Sequence, residues 1–487
     1  MRPSLIASAL VGTAIVGGCA GSAQNLPGPS ELHDIVIASG RVMDPESGLD
    51  AVRNVGIRGG QISAVSEAPL RAKQIFDASG LVVAPGFIDL HVHWVDAEND
   101  AYRAADGVTT ALELEVGTDD VDRWYSAREG KALINYGVSI GHIPARMAVM
   151  HDAGALLPSG DAAHRAATAD ELAQIEALVE RGLRRGAVAV GLGPAYTLGA
   201  TQWEIVEIFR IAARHRASCH VHIRSPAPAL PGDMSGFFEA LAAASLTGAP
   251  LHLAHIHSTG GTEVERELQL IAEARARGLD VTTEVYPYDR GATRIESALF
   301  DHRENEPDDW YASLLWPATG ERLTRESFLR YRKQGGRVIL PVSTEEHVRN
   351  AVVSPLTAIA SDGGLTEGKG HPRTAGTFAR VLGRYVREEK ALSLMEALRK
   401  MTFLPAQRLE QRAPAFRLKG RLRVGADADV TVFNAQAVLD RATYEHPSLA
   451  SSGIRFVFVS GVAVVDDGSV VTRSFPGRPV RAPLESP

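Results

Sequence analysis

GFIDLHVHW, Gly86–Trp94, is an apolar run that ends in two histidines one residue apart. A strand turns successive side chains to opposite faces, so Asp89, His91 and His93 share a face. A lone histidine there reads as a satisfied rim residue. Two in His-x-His spacing at a strand end suit a metal, because neutral imidazole is a common ligand. Whether they meet further ligands depends on what the rest of the chain brings to the same place.

Outward from this stretch the middle of the chain alternates. Further strand candidates are VTTALELE (108–115), INYGVSIGHI (134–143), AVAVGLGPAY (187–196), ASCHVHIRS (217–225), PLHLAHIHS (250–258), DVTTEVYPY (280–288) and PLTAIASDG (355–363). Between several of them lie amphipathic helical patterns such as TADELAQIEALVERGLRRG (168–186) and EVERELQLIAEARARG (263–278), each closing on Arg then Gly. Eight strands alternating with helices predict an α/β (β/α)8 TIM barrel over 86–409. The long stretch about 290–354, with Trp310, Trp316 and Gly335-Gly336, reads as an inserted lid or subdomain. Short β-rich pieces at 31–85 and again at 410–487 predict a small β-sandwich domain formed by the N- and C-terminal segments.

The chain has 487 residues, 45% hydrophobic and 22% charged, with a formal charge of −7. That is a folded, mildly acidic protein, and nothing in its charge points to nucleic acid. Residues 1–23 read as an export signal: Arg2, an apolar run from Leu5 to Val16, then small residues. VGGC, Val16–Cys19, resembles a lipobox, which makes Cys19 a lipidation site. The alternative is an ordinary signal cleaved after Ala23. The expected location is the periplasmic side of the envelope, as an outer-membrane lipoprotein, with the membrane touched only through the lipid. Residues 24–30 form a Pro/Gly tether, and with Cys19 anchored, Cys219 has no disulfide partner.

In such a barrel the reacting groups sit at the C-terminal ends of the strands. The first strand supplies His91 and His93, the second Glu113 and Glu115, the fifth His220 and His222, the sixth His255 and His257, and the eighth Asp362. Any one of these can be a buried polar group with a hydrogen bond. Several strands each delivering one at the same end point to a metal.

GFIDLHVH, CHVHIRS, LHLAHIHS and ASDG together resemble the amidohydrolase superfamily. GAVAVGLGPAYTLG, DVTTEVYPYDRGAT, HPRTAGTFARVLGRYVREEKALSLMEALRKMT, LPAQRL and GADADVTVF resemble its D-aminoacylase (N-acyl-D-amino-acid deacylase) branch, from about His33 to Gly468. The resemblance implies His91, His93, His222, His255 and Asp362 as metal ligands, with zinc, as one or two ions, the expected divalent metal. His220 is then structural, one layer deeper. The branch uses a second-strand cysteine as a ligand where this chain has none. Glu115, nearest the strand end, is the expected bridge and Glu113 the alternative, since a carboxylate matches a thiolate in charge while being harder. The implied reaction is hydrolysis of an amide or cyclic amide C–N bond by metal-activated water, with Asp362 as general base and acid. The implied substrate is a small amide bearing a carboxylate, held by Arg373, Tyr196 and Tyr288, with His142 at the rim and His257 where the branch has a lysine. Competing readings are a dipeptidase or lactonase on the same site, or a lipid-anchored binding protein on a degenerate hydrolase fold.

Overall fold

The computed structural model describes residues 32–224 and 232–485. The leader, the tether and Cys19 lie outside the described residues. Eight parallel strands run in sequence order around one sheet: Phe87–Asp89, Val108–Thr118, Asn135–Gly141, Ala189–Leu192, Ser218–Val221, Leu251–Leu253, Val281–Val285 and Thr357–Ile359. The first and last meet just beyond their ends. The Asp362 amide donates to the His91 carbonyl at 2.7 Å, and the His93 amide to Gly363 at 2.8 Å. The Ser361 amide donates to the Asp89 carboxylate at 2.9 Å. The sheet therefore closes as a (β/α)8 barrel. A parallel strand covered on both faces reads as a continuous rather than alternating apolar run, and the first nine residues of Val108–Thr118 are all buried.

The helices follow their sequence signals. Ala169–Arg184 opens on a capping box between Thr168 and Glu171 and closes through Arg185, with Gly186 in the left-handed region at φ 83°. Its apolar face, Ile175, Val179 and Leu183, joins the main core.

Two strands stop earlier than their sequence pattern suggests. The sixth ends at Leu253; His255 turns the chain with φ 29°, and a short helix, Ile256–Thr259, follows. His255 and His257 therefore do not share a strand face. The third ends at Gly141, and His142 begins the helix His142–Val149.

A second sheet of nine strands joins both ends of the chain. Its seam is Val82–Pro85 paired antiparallel with Val430–Phe433. Ile37, Val55, Ile57, Phe76, Val430, Val432 and Phe458 make its core, and Phe76 meets Phe458 edge-on at 5.0 Å. The last residues leave this sheet: Val480 and Ala482 pack with Leu112, Leu114 and Val188 of the barrel. Between the seventh and eighth barrel strands a four-stranded sheet, Arg290–Arg294, Leu315–Trp316, Glu321–Arg322 and Arg337–Pro341, carries its own core around Phe300, Tyr311 and Phe328. Trp316 stacks on Tyr331 with ring centres 3.9 Å apart. The insertion ends before 354, because Val348, Ala351 and Val352 of the helix Glu345–Val353 belong to the barrel core.

A buried lysine pins sheet to barrel. Lys419 Nζ lies 2.7 Å from Asp429 and 2.9 Å from Asp427. Asp429 also accepts from the Asn135 amide of the third barrel strand at 2.9 Å and from the Ser460 backbone at 2.8 Å. Lys419→Met leaves the Asp429 charge buried without its cation, a loss of about 3 kcal/mol by the usual cost of breaking such a pair. The expected outcome is a lower denaturant midpoint, read by circular dichroism.

Candidate metal centre and active site

The ends of five barrel strands converge. Glu115 is the hub. Its Oε2 lies 3.0 Å from His91 Nε2 and 3.3 Å from His93 Nε2. Its Oε1 lies 2.6 Å from His222 Nδ1 and 3.5 Å from His255 Nε2. Asp362 closes the ring: Oδ1 is 3.2 Å from His93 Nε2 and 3.5 Å from His91 Nε2, and Oδ2 is 3.8 Å from His255 Nε2. Three overlapping trios, His91–His93–Glu115, His91–His255–Asp362 and Glu115–His222–His255, each place three ligand-capable atoms within 4.8 Å of one another. Glu113 stands outside, 3.2 Å from the far nitrogen, Nδ1, of His93. His220 lies deeper, bonded to Ser218 at 3.1 Å and stacked near His252 at 4.5 Å.

The donor set fits a cation. Imidazole nitrogens and carboxylate oxygens face one another in a buried space, so something positive must lie between them, protons or a metal ion. Burial alone would lower the His91 pKa, but Asp362, Glu284 and Glu115 hold it well above its usual value. Burial would likewise raise Glu115, and His91 and His222 hold it well below.

Two residues of this network, Glu284 and His252, are not among the expected site residues. Glu284, on the seventh strand, lies 2.5 Å from His91 Nδ1 and 3.1 Å from His252 Nε2. His252 in turn lies 2.8 Å from Thr282 Oγ1. A carboxylate on Nδ1 fixes the tautomer that leaves Nε2 free to coordinate. In the sequence Glu284 is one acid inside the strand run DVTTEVYPY, with no His or carboxylate at strand spacing to mark it.

A cleft opens over the cluster, lined by His93, Glu115, His255 and Asp362 on its floor. Val116, Leu156 and Leu157 make an apolar wall, and Tyr196, Arg373, Arg294 and Arg337 are polar neighbours. Arg373 is buried; its NH2 sits 2.9 Å from Asp362 Oδ2 and its guanidinium lies over the Tyr286 ring at 4.4 Å. Its Nε and NH1 have no hydrogen-bond partner among the described residues. The Tyr196 ring meets His222 edge-on at 4.7 Å, and its hydroxyl accepts from Thr293 at 3.2 Å.

Three residues expected to bind substrate, His257, Tyr288 and His142, are not among those that line this cleft. His257 packs edge-on against Tyr286 at 4.2 Å, and Tyr288 lies 4.7 Å under Arg380. His142 bonds Glu204 at 2.8 Å, and Arg146 grips both oxygens of Glu204 at 2.5 and 2.7 Å.

A closed barrel with this cluster at its C-terminal rim, joined to a two-ended β sheet, defines a hydrolase scaffold, and the comparisons agree. The amidohydrolase family profile matches residues 74–134 and 343–465. An N-acyl-D-glutamate deacylase of Alcaligenes xylosoxydans xylosoxydans is 33% identical over 93% of this chain and 97% of its own length. The chain belongs to the amidohydrolase family. A D-aminoacylase from the same organism is 29% identical over 89% of this chain and 95% of its own. Among solved structures, the N-acyl-D-glutamate deacylase of Bordetella bronchiseptica, complexed with zinc and a phosphonate mimic of the tetrahedral intermediate, superposes with a TM-score of 0.79. That match has 28% identity and covers 93% of this chain and 100% of that one.

The Glu204 network makes a prediction about stability rather than chemistry. Burial raises the Glu204 pKa, but His142 and Arg146 outweigh it and hold it below its usual value. A carboxylate lowered on folding stabilises above its unfolded pKa, and that contribution is lost as pH falls through the folded value. Glu204→Gln should therefore cost about 3 kcal/mol near neutral pH, with the difference from wild type shrinking below about pH 4. Denaturation measured across pH 3–8 checks this.

Proposed function

We propose that this protein is a divalent-metal-dependent hydrolase of the amide bond in small N-acyl amino acids. The observation that carries the reading is Glu115, whose two oxygens face two separate histidine pairs, with Asp362 beside both. His91, His93, Glu115, His222, His255 and Asp362 are the residues that would hold the metal, zinc by analogy with the Bordetella structure. A bound divalent ion supplies Lewis acidity toward a carbonyl oxygen and toward water.

The chain's own residues supply the rest. Arg373 faces the cleft with two N–H-bearing nitrogens unpartnered, and a planar guanidinium grips a carboxylate through paired bonds. The wall of Val116, Leu156 and Leu157 suits the acyl group. Burial pushes the Asp362 pKa up, but Arg373 and His91 pull it well below the usual range. Asp362 is thus ionised at neutral pH, placed to accept a proton from attacking water and return it to the leaving nitrogen. The names of the relatives, N-acyl-D-glutamate deacylase and D-aminoacylase, support a D-configured substrate.

The experiment is a panel of N-acyl amino acids of both hands, dipeptides and lactones, offered to metal-reconstituted protein with chelated protein as blank. N-acyl amino acids should be cleaved only by the reconstituted protein; turnover by the chelated protein overturns the reading. Asp362→Asn should keep bound metal and lose about 10²–10⁴-fold in kcat, the usual share of a general acid–base. Glu284→Gln should weaken metal binding about 10–100-fold, as expected when a carboxylate behind a ligating histidine is removed. Competition with a chromophoric chelator measures this independently of turnover.

A further inference from the structure

The barrel has a second opening, at the end opposite the metal centre. In a (β/α)8 barrel that end serves stability, and the interior is packed with side chains. Much of it is packed here: Ala406, Leu409, Ala413 and Phe416 join Ile88, Leu112 and Leu114 in one apolar cluster. At the starts of the seventh and eighth strands, however, a cavity of about 540 Å³ is left open. That is the size of a small-molecule site. Its inner wall is made by the buried residues Leu90, His252 and Ala358, and it shares no lining residue with the cleft over the metal cluster. Its mouth carries unbalanced charge. Arg275, on the helix Val264–Ala276, and Arg399, on the helix Leu394–Met401, are exposed and have no ion-pair partner among the described residues. Arg408, on the helix Phe403–Leu409, donates to both oxygens of Asp280 at 2.6 and 2.9 Å. Its Nε has no partner among the described residues. Asp280 is the one acid among the described lining residues.

We propose that this mouth is a second binding site, for a small organic dianion with an apolar body: a phosphate monoester or a dicarboxylate. Exposed, unpaired arginines are ordinary when scattered over a surface. Here three of them, from three different helices, line one cavity, and a single carboxylate answers them. With Asp280 neutralising Arg408, the charges of Arg275 and Arg399 remain, and a dianion balances them where a neutral ligand does not. Guanidinium forks suit the oxygens of phosphate and carboxylate groups through paired bonds. Gln407 and Gln411 add amide donors at the same mouth, and Pro355, Leu356 and Leu404 give it an apolar side. A ligand with a charged head at the mouth and an apolar body directed toward Leu90 and Ala358 matches both halves of the lining. The proposal stands apart from the reading of the cleft, because the two sites have no residue in common.

The test titrates phenyl phosphate, benzylmalonate, benzoate and benzyl alcohol into the metal-loaded protein by calorimetry. At least one of the two dianions should bind more tightly than benzoate, with benzyl alcohol weakest, and whichever dianion binds tighter tells phosphate from dicarboxylate. The double variant Arg275→Gln with Arg399→Gln should weaken the better dianion about 10–100-fold, the range of a lost charge-assisted bond. Ala272→Trp fills the mouth from an exposed position without removing a charge, and it should abolish the binding. Both variants should keep the metal content of the wild type, so that what they lose belongs to the mouth and not to the metal centre. A dianion held by the metal centre or the cleft is instead left unchanged by both variants, and that result overturns the proposal. Benzyl alcohol binding as tightly as the dianions overturns it as well, as does the absence of binding by either dianion at millimolar concentration.

Discussion

Glu115 buried among four imidazoles is the constraint around which the rest is arranged. A carboxylate removed from water is tolerated only when its oxygens are paired. Here each oxygen faces two histidines: His91 and His93 beyond the first strand on one side, His222 and His255 beyond the fifth and sixth on the other. Those histidines can meet it only if the strands close into a barrel, and they do so because Asp362 and His93 exchange backbone bonds with the opposite end of the sheet. Closure and site are one arrangement. The same bonds that complete the barrel set the distance between Asp362 and His93.

Much of this was legible in the chain. His91, His93, Glu115, His222, His255 and Asp362 fall together because each stands near a strand end, and strand ends are marked by apolar runs that stop. Glu115 and Glu113 point the same way along one strand, so their separation in role is one of depth: two residues nearer the rim puts Glu115 between the histidines and leaves Glu113 behind His93. What alternation could not give is where a strand stops. The pattern LHLAHIHS continues through His257, but the backbone turns at His255 and carries His257 into a helix. His142 is lost in the same way, at the first residue of a helix, where it serves Arg146 and Glu204. Glu284 was passed over for the opposite reason. It shows no spacing to a second ligand-type residue, and its part is visible only once His91 is seen to have two occupied nitrogens.

The outer carboxylates divide the work. Glu284 and Glu113 hold the far nitrogens of His91 and His93, so the near nitrogens of both rings are turned toward Glu115 and Asp362. Behind them His252 meets the second oxygen of Glu284 through Nε2, and Thr282 holds the other nitrogen of His252. The interior of the barrel below the rim is therefore polar along one axis and apolar elsewhere. The paired nitrogens of His91 and His93 keep these two rings from rotating out of register.

Strain gathers at the same rim. Trp94, His255 and Asp362 are non-glycine residues in the left-handed region, with φ of 59°, 29° and 50°. Such conformations cost of order 1–3 kcal/mol each and persist only where surroundings over-determine them. Each of the three stands where a strand ends: Trp94 beyond the first, His255 beyond the sixth, Asp362 beyond the eighth. A strand that simply continued would carry its next side chain along the barrel axis and past the cluster. Reversing φ at the strand end instead swings His255 and Asp362 inward, toward Glu115, and turns Trp94 out to meet Arg337. The bonds of Asp362 to His91 and of Ser258 to His255 hold two of these turns in place. The reversed φ thus accompanies the approach of His255 to Glu115 and of Asp362 to His91 and His93.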